Sequence, residues 1–400
     1  MGHREPNKPS WRAHDLHFAH GKDKVMSLIR FSKYSVYGNI LIFVDEVSGR
    51  QLKESEKSAF AYAATDGHFG IGADDVIILQ EYSPELIKAI GNYARYWKTY
   101  PHLDCEPSPD YVLRVFEPDG QEALCCGNGL ACAAHYLHAT YGIETARIVT
   151  EIPSPFPKIR MTEVAESGKN YRVNMGCSSV IPETLMNTSF VTHSEGVLGF
   201  FQDLPITCQW MSASEHDTKL SLTVSGLLTY TGEPHLIVFE QPENPFTDDF
   251  SSMFGLIFGD DLSRSMEDKD LQNHRIDSIG IFHKIGLNLN LMKSRLFPRG
   301  ININFARVVS KDGIIEYRTF ERGVNRETLA CGTGAIAVAT AAHQLGMVKS
   351  NRIKLWPKRG RWLDHFKDAH LYASRDSSGE WWLETDPRCI FSGTIEFPRS

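Results

Sequence analysis

Two cysteines of this chain occur in the same local pattern. The stretch CCGNGLACAAHYL contains Cys126, and the stretch CGTGAIAVATAA begins with Cys331; both cysteines precede Gly-x-Gly and an alanine-rich run. Glycine lets backbone amides approach a ligand closely, and alanine favours the helical state. The pattern therefore predicts two helices, each with a thiol at its first turn.

A thiol at a helix N-terminus is a candidate acid–base group. The unpaired N–H groups there carry about half a positive charge, which attracts anions and lowers the pKa of a nearby thiol. Two such thiols on opposite sides of a carboxylate-bearing carbon suit removal of a proton from one face and its return to the other. This chemistry inverts an α-carbon, and the helix starts would stabilise the charge that develops on the carboxylate.

The repetition extends beyond the cysteines to the elements that position them. The motif RVFE precedes the first cysteine and RTFE the second, at intervals of nine and ten residues from glutamate to cysteine. Each predicted helix closes at a glycine and is followed by an Arg-Ile strand. The duplicated order predicts two homologous halves that face each other across one cleft.

The remaining elements are predicted from apolar spacing and turn residues. Strands are expected in SLIRFSKYSV, NILIFVD, VIILQEY, YVLRVF, ARIVT and RVNMG, and in further segments of the second half. A helix is expected in PELIKAIGNYARYWKTY, whose apolar residues have helical spacing after a proline. IPSPFPK, with three prolines in seven residues, is the candidate hinge. The region 241–298 gives no clear secondary-structure signal.

Composition excludes several classes of function. The 400 residues include 42% hydrophobic residues, enough for a sizeable core, and carry a formal net charge of −7 with no long basic cluster. We therefore expect a small-molecule partner rather than nucleic acid or a membrane. Eight cysteines are too few for a disulfide scaffold in a chain of this size, which favours reduced thiols and a cytoplasmic location. Residues 1–28 are expected to form a polar extension.

Metal and cofactor alternatives are weaker. Cys125, Cys126, Cys132 and His135 lack the spacing of a zinc site, so no metal is expected. No lysine stands in a recognisable phosphate-binding context, which disfavours pyridoxal phosphate and favours chemistry without a cofactor. The segment GIGADD lacks the full dinucleotide fingerprint and the Lys-Ser/Thr of a P-loop.

The chain resembles the diaminopimelate epimerase family, whose members invert an amino-acid α-carbon without a cofactor. FSKYSVYGN resembles the family's opening strand and turn, HFGIGADD its glycine segment, RVNMG its early second-domain strand, and ERGVNRETLACGTGA its second cysteine motif with one extra residue. The resemblance implies an α/β (α+β) fold of two pseudo-symmetric domains, each a curved mixed sheet around a central helix. It also implies a possible homodimer.

The resemblance extends to individual residues. It implies that Cys126 and Cys331 form the acid–base pair and that His235 and Glu321 support the two thiols. It also implies a set of residues that bind the substrate: Asn39, Gly127, Asn128, Asn302, Arg322, Gly332 and Thr333. The implied domains are 29–153 plus 388–400, carrying the first cysteine, and 154–387, carrying the second.

Departures from the family bear on the substrate. Glu117 and Glu233 stand where the family has asparagines that help to hold the far end of diaminopimelate, and Asp75 replaces its usual glutamine. Carboxylates there would repel a distal carboxylate and attract a cation. We therefore expect a basic substrate such as lysine, ornithine, arginine, diaminobutyrate or histidine. Arg322 favours the alternative, diaminopimelate itself, unless it pairs with one of the new glutamates.

Other functions of the same fold remain as alternatives. An isomerase that acts on an unsaturated or hydroxylated acid is one, although such relatives generally lack the two cysteines. An inactive ligand-binding or assembly protein is another, with the insertions near 82–110 and 241–298 as its interaction surface. The presence of both cysteines with their glycines favours an enzyme.

Overall fold

The computed structural model describes residues 25–93, 108–150, 159–165, 170–211, 217–240, 254–259 and 268–399. The extension before residue 25, the candidate hinge and much of the unread region near 241–298 lie outside the described residues. Within this part of the chain, none of the helices combines the length and apolar character needed to cross a membrane.

Within the described ranges, eighteen strands form one hydrogen-bonded sheet. Their bounds are β1 Met26–Val36, β2 Asn39–Glu46, β3 Asp75–Glu81, β4 Tyr111–Phe116, β5 Thr145–Val149, β6 Ile159–Val164, β7 Tyr171–Gly176, β8 His193–Glu195, β9 Leu198–Met211, β10 Asp217–Tyr230, β11 Pro234–Phe239, β12 Asn302–Ser310, β13 Ile314–Glu321, β14 Arg326–Thr328, β15 Arg352–Pro357, β16 Leu371–Arg375, β17 Trp381–Thr385 and β18 Arg388–Pro398.

The described helices lie between these strands. They are α1 Glu54–Thr65, α2 Pro84–Gly91, α3 Gly127–Tyr141, α4 Asp268–Leu287, α5 Gly332–Gln344 and α6 Lys358–Arg361, with a π-helical turn at Asn288–Met292 and 3₁₀ turns at Thr188–Phe190 and Asp364–Phe366.

The strand order has an internal symmetry. From one edge the first half runs β18, β1, β2, β3, β4, β5, β6, β7, and from the other end of the sheet the second runs β9, β10, β11, β12, β13, β15, β16, β17. The parallel pairs fall at equivalent places in both series, and β7 joins β17 where the halves meet. The duplication predicted from the sequence is confirmed at the level of strand order.

Strand alternation gives each half two buried faces. In β2, Leu41 and Phe43 pack in the cluster that surrounds α3, whereas Ile42 and Val44 pack with α1 through Phe60. A strand buried on both faces reads as a continuous apolar run, as NILIFVD does. The central helix of each half therefore lies on one face of its curved sheet, and a second helix covers the opposite face.

The second half repeats this arrangement with a helix from the region that the sequence did not resolve. Ile237 and Phe239 of β11 belong to the cluster around α5, and the alternate residue Leu236 packs with Phe282 of α4. Helix α4 joins the parallel strands β11 and β12, as α1 joins β2 and β3. The region 241–298 thus supplies the outer helix of the second half.

A buried arginine is also duplicated. Arg114 donates from Nε and Nη2 to Glu122 at 2.6 and 2.7 Å, and Arg318 donates from Nε to Glu327 at 2.6 Å. Both ion pairs fasten the strand before the cysteine to the loop that leads into the helix. The RVFE and RTFE motifs therefore mark equivalent positions in the two halves, and their arginines also hold the loop before each helix in place.

Several predicted elements change in extent. The helix that begins at Pro84 ends at Gly91, where its described cap follows, and α1 was not anticipated from the sequence. The mixed sheet around two central helices confirms the predicted fold class. The boundary at residue 154 stays a prediction; β6 and β7 hydrogen-bond in sequence with β5 of the first half.

Candidate active site

The two cysteines occupy equivalent positions at the starts of α3 and α5. Cys126 precedes α3 as its N-cap residue, and its Sγ accepts a hydrogen bond from the Gly129 N–H at 3.2 Å. Cys331 precedes α5 in the same way, and its Sγ accepts from the Gly334 N–H at 3.3 Å. The predicted placement of a thiol at each helix start is confirmed.

Glycine is required where the two helix starts meet. A Cβ atom on Gly127 would lie 3.0 Å from Leu383 Cδ2 and 3.6 Å from the carbonyl carbon of Gly332. A Cβ atom on Gly332 would lie 2.6 Å from the same leucine and 3.1 Å from Asn128 Oδ1. A larger side chain at either position would push apart the two N-termini that the fold brings together.

One cleft contains both cysteines and nearly all of the predicted site. Of the predicted residues, those that line it are Asn39, Asp75, Glu117, Cys126, Gly127, Asn128, Glu233, Asn302, Glu321, Arg322, Cys331, Gly332 and Thr333. Val115, Ala123, Cys125 and Val324 complete the lining. His235 is the one predicted residue that does not belong to it.

Burial opposes ionisation of both thiols, which corrects the expectation of a lowered pKa. Burial raises the pKa of Cys126 well above its usual value, and the Asp75 carboxylate adds to that rise; the Gly129 N–H opposes it. Burial and Glu321 raise the pKa of Cys331 in the same way, against Thr333 and Gly334. Loss of water outweighs the helix N-terminus, so each thiol needs a nearby base to ionise.

Glu321 is the carboxyl that acts most strongly on Cys331. Its carboxylate raises the pKa of the Cys331 thiol and accepts a hydrogen bond from the Thr328 hydroxyl. Burial raises the pKa of Glu321 to about 7, and the Asp74 carboxylate contributes to the rise. A carboxyl with this pKa can both accept and release a proton near neutrality.

His235 lies away from the cleft lining. It is fully buried on β11, and its Nδ1 is 3.1 Å from the Asn304 amide nitrogen. Because that amide donates, Nδ1 is the acceptor and the proton is on Nε2, which has no hydrogen-bond partner among the described residues. Burial and Arg322 lower the pKa of His235 to about 3, so it stays neutral.

Arg322 is held between the two glutamates that replace the family's asparagines. Its Nε donates to Glu233 Oε2 at 2.8 Å, and its Nη1 lies 3.6 Å from Glu117 Oε1. Burial by itself would lower the pKa of Arg322, but the two carboxylates outweigh it and raise that pKa. The arginine is therefore engaged by the protein's own carboxylates.

The two glutamates are not equivalent. Glu233 Oε1 also accepts from the backbone N–H groups of Leu124 and Cys125, at 3.0 and 3.3 Å, so both of its oxygens are bonded. In the described part of the chain the Glu117 carboxylate has one ion-pair contact, the longer one with Arg322, and Arg299 acts on it more weakly. Burial raises the pKa of Glu117 to about 7, partly offset by Arg322 and reinforced by Glu233.

A chain of amides links the halves beneath the cysteines. Asn128 Nδ2 donates to Asn39 Oδ1 at 3.0 Å and to the Ala330 carbonyl at 3.3 Å, and Asn39 Nδ2 donates to Asp74 at 2.9 Å. Asp74 also pairs with Arg326. The sequence analysis did not single out Asp74, although the paired aspartates of GADD were the available signal.

The fold and the cleft together define a class of protein. A duplicated sheet that wraps two helices, with a thiol at each helix start and both in one buried cleft, is the architecture of an isomerase. A sequence model of the diaminopimelate epimerase family matches residues 31–181 and 284–368, more than half of the chain. The chain belongs to this family.

Relatives support the assignment across most of the chain. A diaminopimelate epimerase of Archaeoglobus fulgidus is 28% identical over 326 residues, covering 80% of this chain and 84% of the relative. That of Methanothrix thermoacetophila is 27% identical over 331 residues, covering 81% and 84%. A hydroxyproline epimerase of Agrobacterium vitis, solved with trans-4-hydroxy-L-proline, has a TM-score of 0.51 at 11% identity over 93% of both chains and shares the fold.

Proposed function

We propose that this protein racemises a free basic amino acid with Cys126 and Cys331 as its two bases and without a cofactor. The support is the single cleft that contains both thiols between two helix starts. An α-carbon held there exposes opposite faces to the two sulfurs. One sulfur removes the α-proton as a thiolate, and the other returns a proton as a thiol.

The helix starts provide the charge stabilisation that this reaction needs. Removal of the α-proton places negative charge on the substrate carboxylate, because the carbanion is stabilised as an enediolate. Backbone N–H groups at residues 127–128 and 332–333 line the cleft at the positive ends of α3 and α5. In comparable sites each such donor contributes about 3 kcal/mol to the transition state.

The pairing of Arg322 with the protein's own glutamates is the observation that supports a basic amino acid as substrate. In diaminopimelate the far end bears a carboxylate, and Arg322 is the one arginine that lines the cleft among the described residues. Here its guanidinium is already bonded to Glu233 and lies beside Glu117. Two carboxylates face the one arginine of the lining, and Arg299 acts only weakly on Glu117, so this end disfavours a second carboxylate and favours a cation.

Glu117 is the group that would receive the substrate cation. Its oxygens have one long ion-pair contact, and its raised pKa shows that its charge is poorly compensated. A substrate ammonium, guanidinium or imidazolium at hydrogen-bond distance would stabilise the charged form. Lysine, ornithine, arginine, diaminobutyrate and histidine all carry such a group.

Diaminopimelate is the second candidate substrate. The similar proteins of Archaeoglobus fulgidus and Methanothrix thermoacetophila carry the name diaminopimelate epimerase, and Arg322 is present in the cleft. Substrate entry that displaced Glu117 from Arg322 would free part of the guanidinium for a distal carboxylate.

Deuterium exchange at the α-carbon separates the two candidates. The purified full chain is incubated in D₂O with each basic L-amino acid and with LL-diaminopimelate, and incorporation is followed by mass spectrometry. We expect exchange with at least one basic amino acid at a rate at least about tenfold above diaminopimelate, since a tenfold ratio corresponds to about 1.4 kcal/mol. Exchange confined to diaminopimelate would overturn the basic-substrate proposal.

Glu117→Asn sharpens this result. The change restores the family's residue type and removes the carboxylate that has one long ion-pair contact, so the preference for a basic amino acid over diaminopimelate should fall at least about tenfold. Glu195→Gln, which removes an exposed carboxylate on β8, is the charge-matched control and should leave the preference unchanged.

A further inference from the structure

A turn from each half of the fold lies against the cysteine segment of the other half. In the second half the turn is formed by residues 231–233, between β10 and β11. The Glu233 side chain extends from it to the first half, where its Oε1 accepts hydrogen bonds from the N–H groups of Leu124 and Cys125 at 3.0 and 3.3 Å. These two residues immediately precede Cys126. The backbone that leads into the first thiol is therefore held by a side chain of the second half.

The first half makes the equivalent contact in the other direction. Its turn between β1 and β2 is followed by Asn39, whose Oδ1 accepts a hydrogen bond from Asn128 Nδ2 at 3.0 Å. The same Nδ2 donates at 3.3 Å to the carbonyl of Ala330, the residue before Cys331. Each turn is therefore connected to the segment before the cysteine of the opposite half.

Glycine in each turn permits this close approach. Gly232 and Gly38 have positive φ angles of 99° and 91°. A Cβ atom on Gly232 would lie 2.9 Å from Cys125 Cβ and 3.1 Å from Cys125 Sγ, and a Cβ atom on Gly38 would clash with the Leu329 side chain. A larger residue in either turn would push on the segment just before a cleft cysteine.

The turn of the second half contacts the backbone beside both thiols. Glu233 holds the segment before Cys126 by charge-assisted hydrogen bonds, which are about twice as strong as those between neutral amides. In the same turn Thr231 Oγ1 donates at 3.0 Å to the carbonyl of Thr333, in the first turn of α5 after Cys331. Both side chains of this turn are buried. The turn is thus placed to fix the two helix starts relative to each other.

The hydrogen bonds of Glu233 fill its acceptor positions. A carboxylate has about four such positions. The N–H groups of Leu124 and Cys125 bond to Oε1, while Nε and Nη2 of Arg322 both donate to Oε2. Glu117 differs, since among the described residues its one ion-pair contact is the longer one with Arg322. The geometry therefore suits Glu233 to holding the backbone rather than to binding a substrate cation.

We propose that Glu233 is a positioning residue for Cys126: by holding the two N–H groups before that cysteine, it sets the place of the Cys126 sulfur opposite the Cys331 sulfur. This inference rests on the proposed two-thiol function. It replaces the role in substrate binding expected from the sequence and leaves Glu117 as the carboxylate for the substrate cation. Proton transfer needs reacting atoms about 3–3.5 Å apart, and a misplacement of about 1 Å can cost about 100-fold in rate.

Glu233→Asp tests the hold by amide hydrogen exchange, without any substrate. The variant keeps the charge, but its side chain is one methylene shorter, so its carboxylate cannot reach both Arg322 and the N–H groups of Leu124 and Cys125. Exchange in the peptide that spans residues 122–126 should become at least about tenfold faster, because hydrogen bonds to a charged group are lost. The peptide that spans residues 332–337 should change less. Unchanged exchange in residues 122–126 would overturn the hold.

Deuterium exchange of two enantiomers tests the positioning of Cys126. Each thiol removes the α-proton of one enantiomer, and exchange in D₂O, unlike net racemisation, need not be equally fast for both. The probes are the L- and D-forms of whichever of lysine, ornithine, arginine, diaminobutyrate and histidine exchanges fastest, or LL- and meso-diaminopimelate if only that compound exchanges. Glu233→Asp should lower kcat at least about tenfold and change the ratio of the two exchange rates at least about fivefold. An unchanged ratio would overturn the positioning role.

Two further variants separate positioning from substrate binding. Gly38→Ala pushes on the segment before Cys331, so it should change the ratio of exchange rates in the opposite direction; a change in the same direction would contradict the proposal. Glu117→Asp is the matched control, because it shortens the carboxylate that is proposed to bind the substrate. It should raise KM and leave the ratio within about twofold of wild type. A shift as large as that of Glu233→Asp would also contradict the proposal.

Gly232→Ala keeps the test decisive if Glu233→Asp does not fold. It retains the Glu233 carboxylate while its Cβ pushes on Cys125, so it and Gly38→Ala should change the ratio in opposite directions. Equal ratios in the two alanine variants would overturn the role. Wild-type chain that exchanges no α-proton in any of these amino acids would overturn the proposed function, whereas amide exchange in residues 122–126 would still decide whether Glu233 holds this segment.

Discussion

Each half of the duplicated fold has a glutamate at the end of the strand that precedes its cysteine, and the two glutamates face different partners. Glu117 follows β4 and Glu321 ends β13, at equivalent positions before the two cysteines. Glu321 raises the pKa of the Cys331 thiol, whereas Glu117 faces Arg322. The residue that follows each glutamate also differs, since Pro118 stands where the second half has Arg322.

This difference shows how a duplicated scaffold can take on two tasks. Duplication supplies two thiols at two helix starts, but the carboxylate of the second half is committed to its thiol and that of the first half is turned toward the arginine. We infer that the second half keeps its glutamate beside its thiol for proton transfer, while the first half uses its glutamate for the substrate side chain.

The largest expected effect is loss of either sulfur. Cys126→Ser and Cys331→Ser should each lower racemisation at least about 10³-fold, because a hydroxyl ionises far less readily than a thiol and acid–base catalysis contributes about 10²–10⁴-fold. Chiral chromatography measures the rate. Cys389→Ser, an exposed thiol on β18, is the control. Activity within tenfold of wild type in either cleft variant would contradict the two-base assignment.

Removal of the doubly bonded glutamate should cost stability. Glu233→Gln leaves the buried Arg322 guanidinium with the longer Glu117 contact and its hydrogen bond to the Arg299 carbonyl, and breaking a buried ion pair costs about 3 kcal/mol or more. Urea unfolding measures the loss. Glu117→Gln should cost less than half as much, since its pairing is longer, and equal losses would contradict the inequality of the two carboxylates.

Glu321→Gln should lower kcat about 100-fold and change its pH dependence. The pKa of Glu321 is near 7, so its ionised, proton-accepting form increases as pH rises through 7. Wild-type kcat/KM should therefore rise across pH 6–8, with the form below pH 7 inactive because the carboxyl is already protonated. A variant that kept the rising limb would show that another group controls it.

The smallest effects should be equal in the two halves. Gly142 and Gly346 follow α3 and α5 with φ of 70° and 67°, and nothing lies within 4 Å of a Cβ added at either. Gly142→Ala and Gly346→Ala should each cost about 1 kcal/mol, the penalty of a left-handed residue with a side chain. Denaturant unfolding measures both losses. If the two variants differed in free energy of unfolding by more than about 1 kcal/mol, the two helix ends would not be equivalent.

The part of the fold that could be predicted depended on the spacing of apolar residues and on the glycines that end helices. Runs such as NILIFVD and VIILQEY predict strands because both faces are buried, and glycine after each alanine-rich run predicts the helix ends. Helix α1, ESEKSAFAYAAT, was missed because its apolar residues are small and its charged residues are themselves buried, with Lys57 paired to Glu46 and Glu54. Helix α4 was missed because its sequence is mixed and polar.

Within the candidate site, thirteen of the fourteen predicted residues line the cleft. The cysteines and their glycines were found from their repeated motif, and the other residues were implied by the resemblance to the diaminopimelate epimerase family. Partners were not predictable in the same way: Glu321 with Cys331, and His235 with Asn304, depend on contacts between strands.

The sequence by itself determined that there are two thiols, each placed before glycine and a helix, since local spacing sets local backbone structure. Only the tertiary structure decided the charge state of those thiols and the use of each carboxylate. Burial removes the water that would stabilise an isolated charge, so every ionisable group in the cleft takes its properties from the neighbours that the folded chain brings to it.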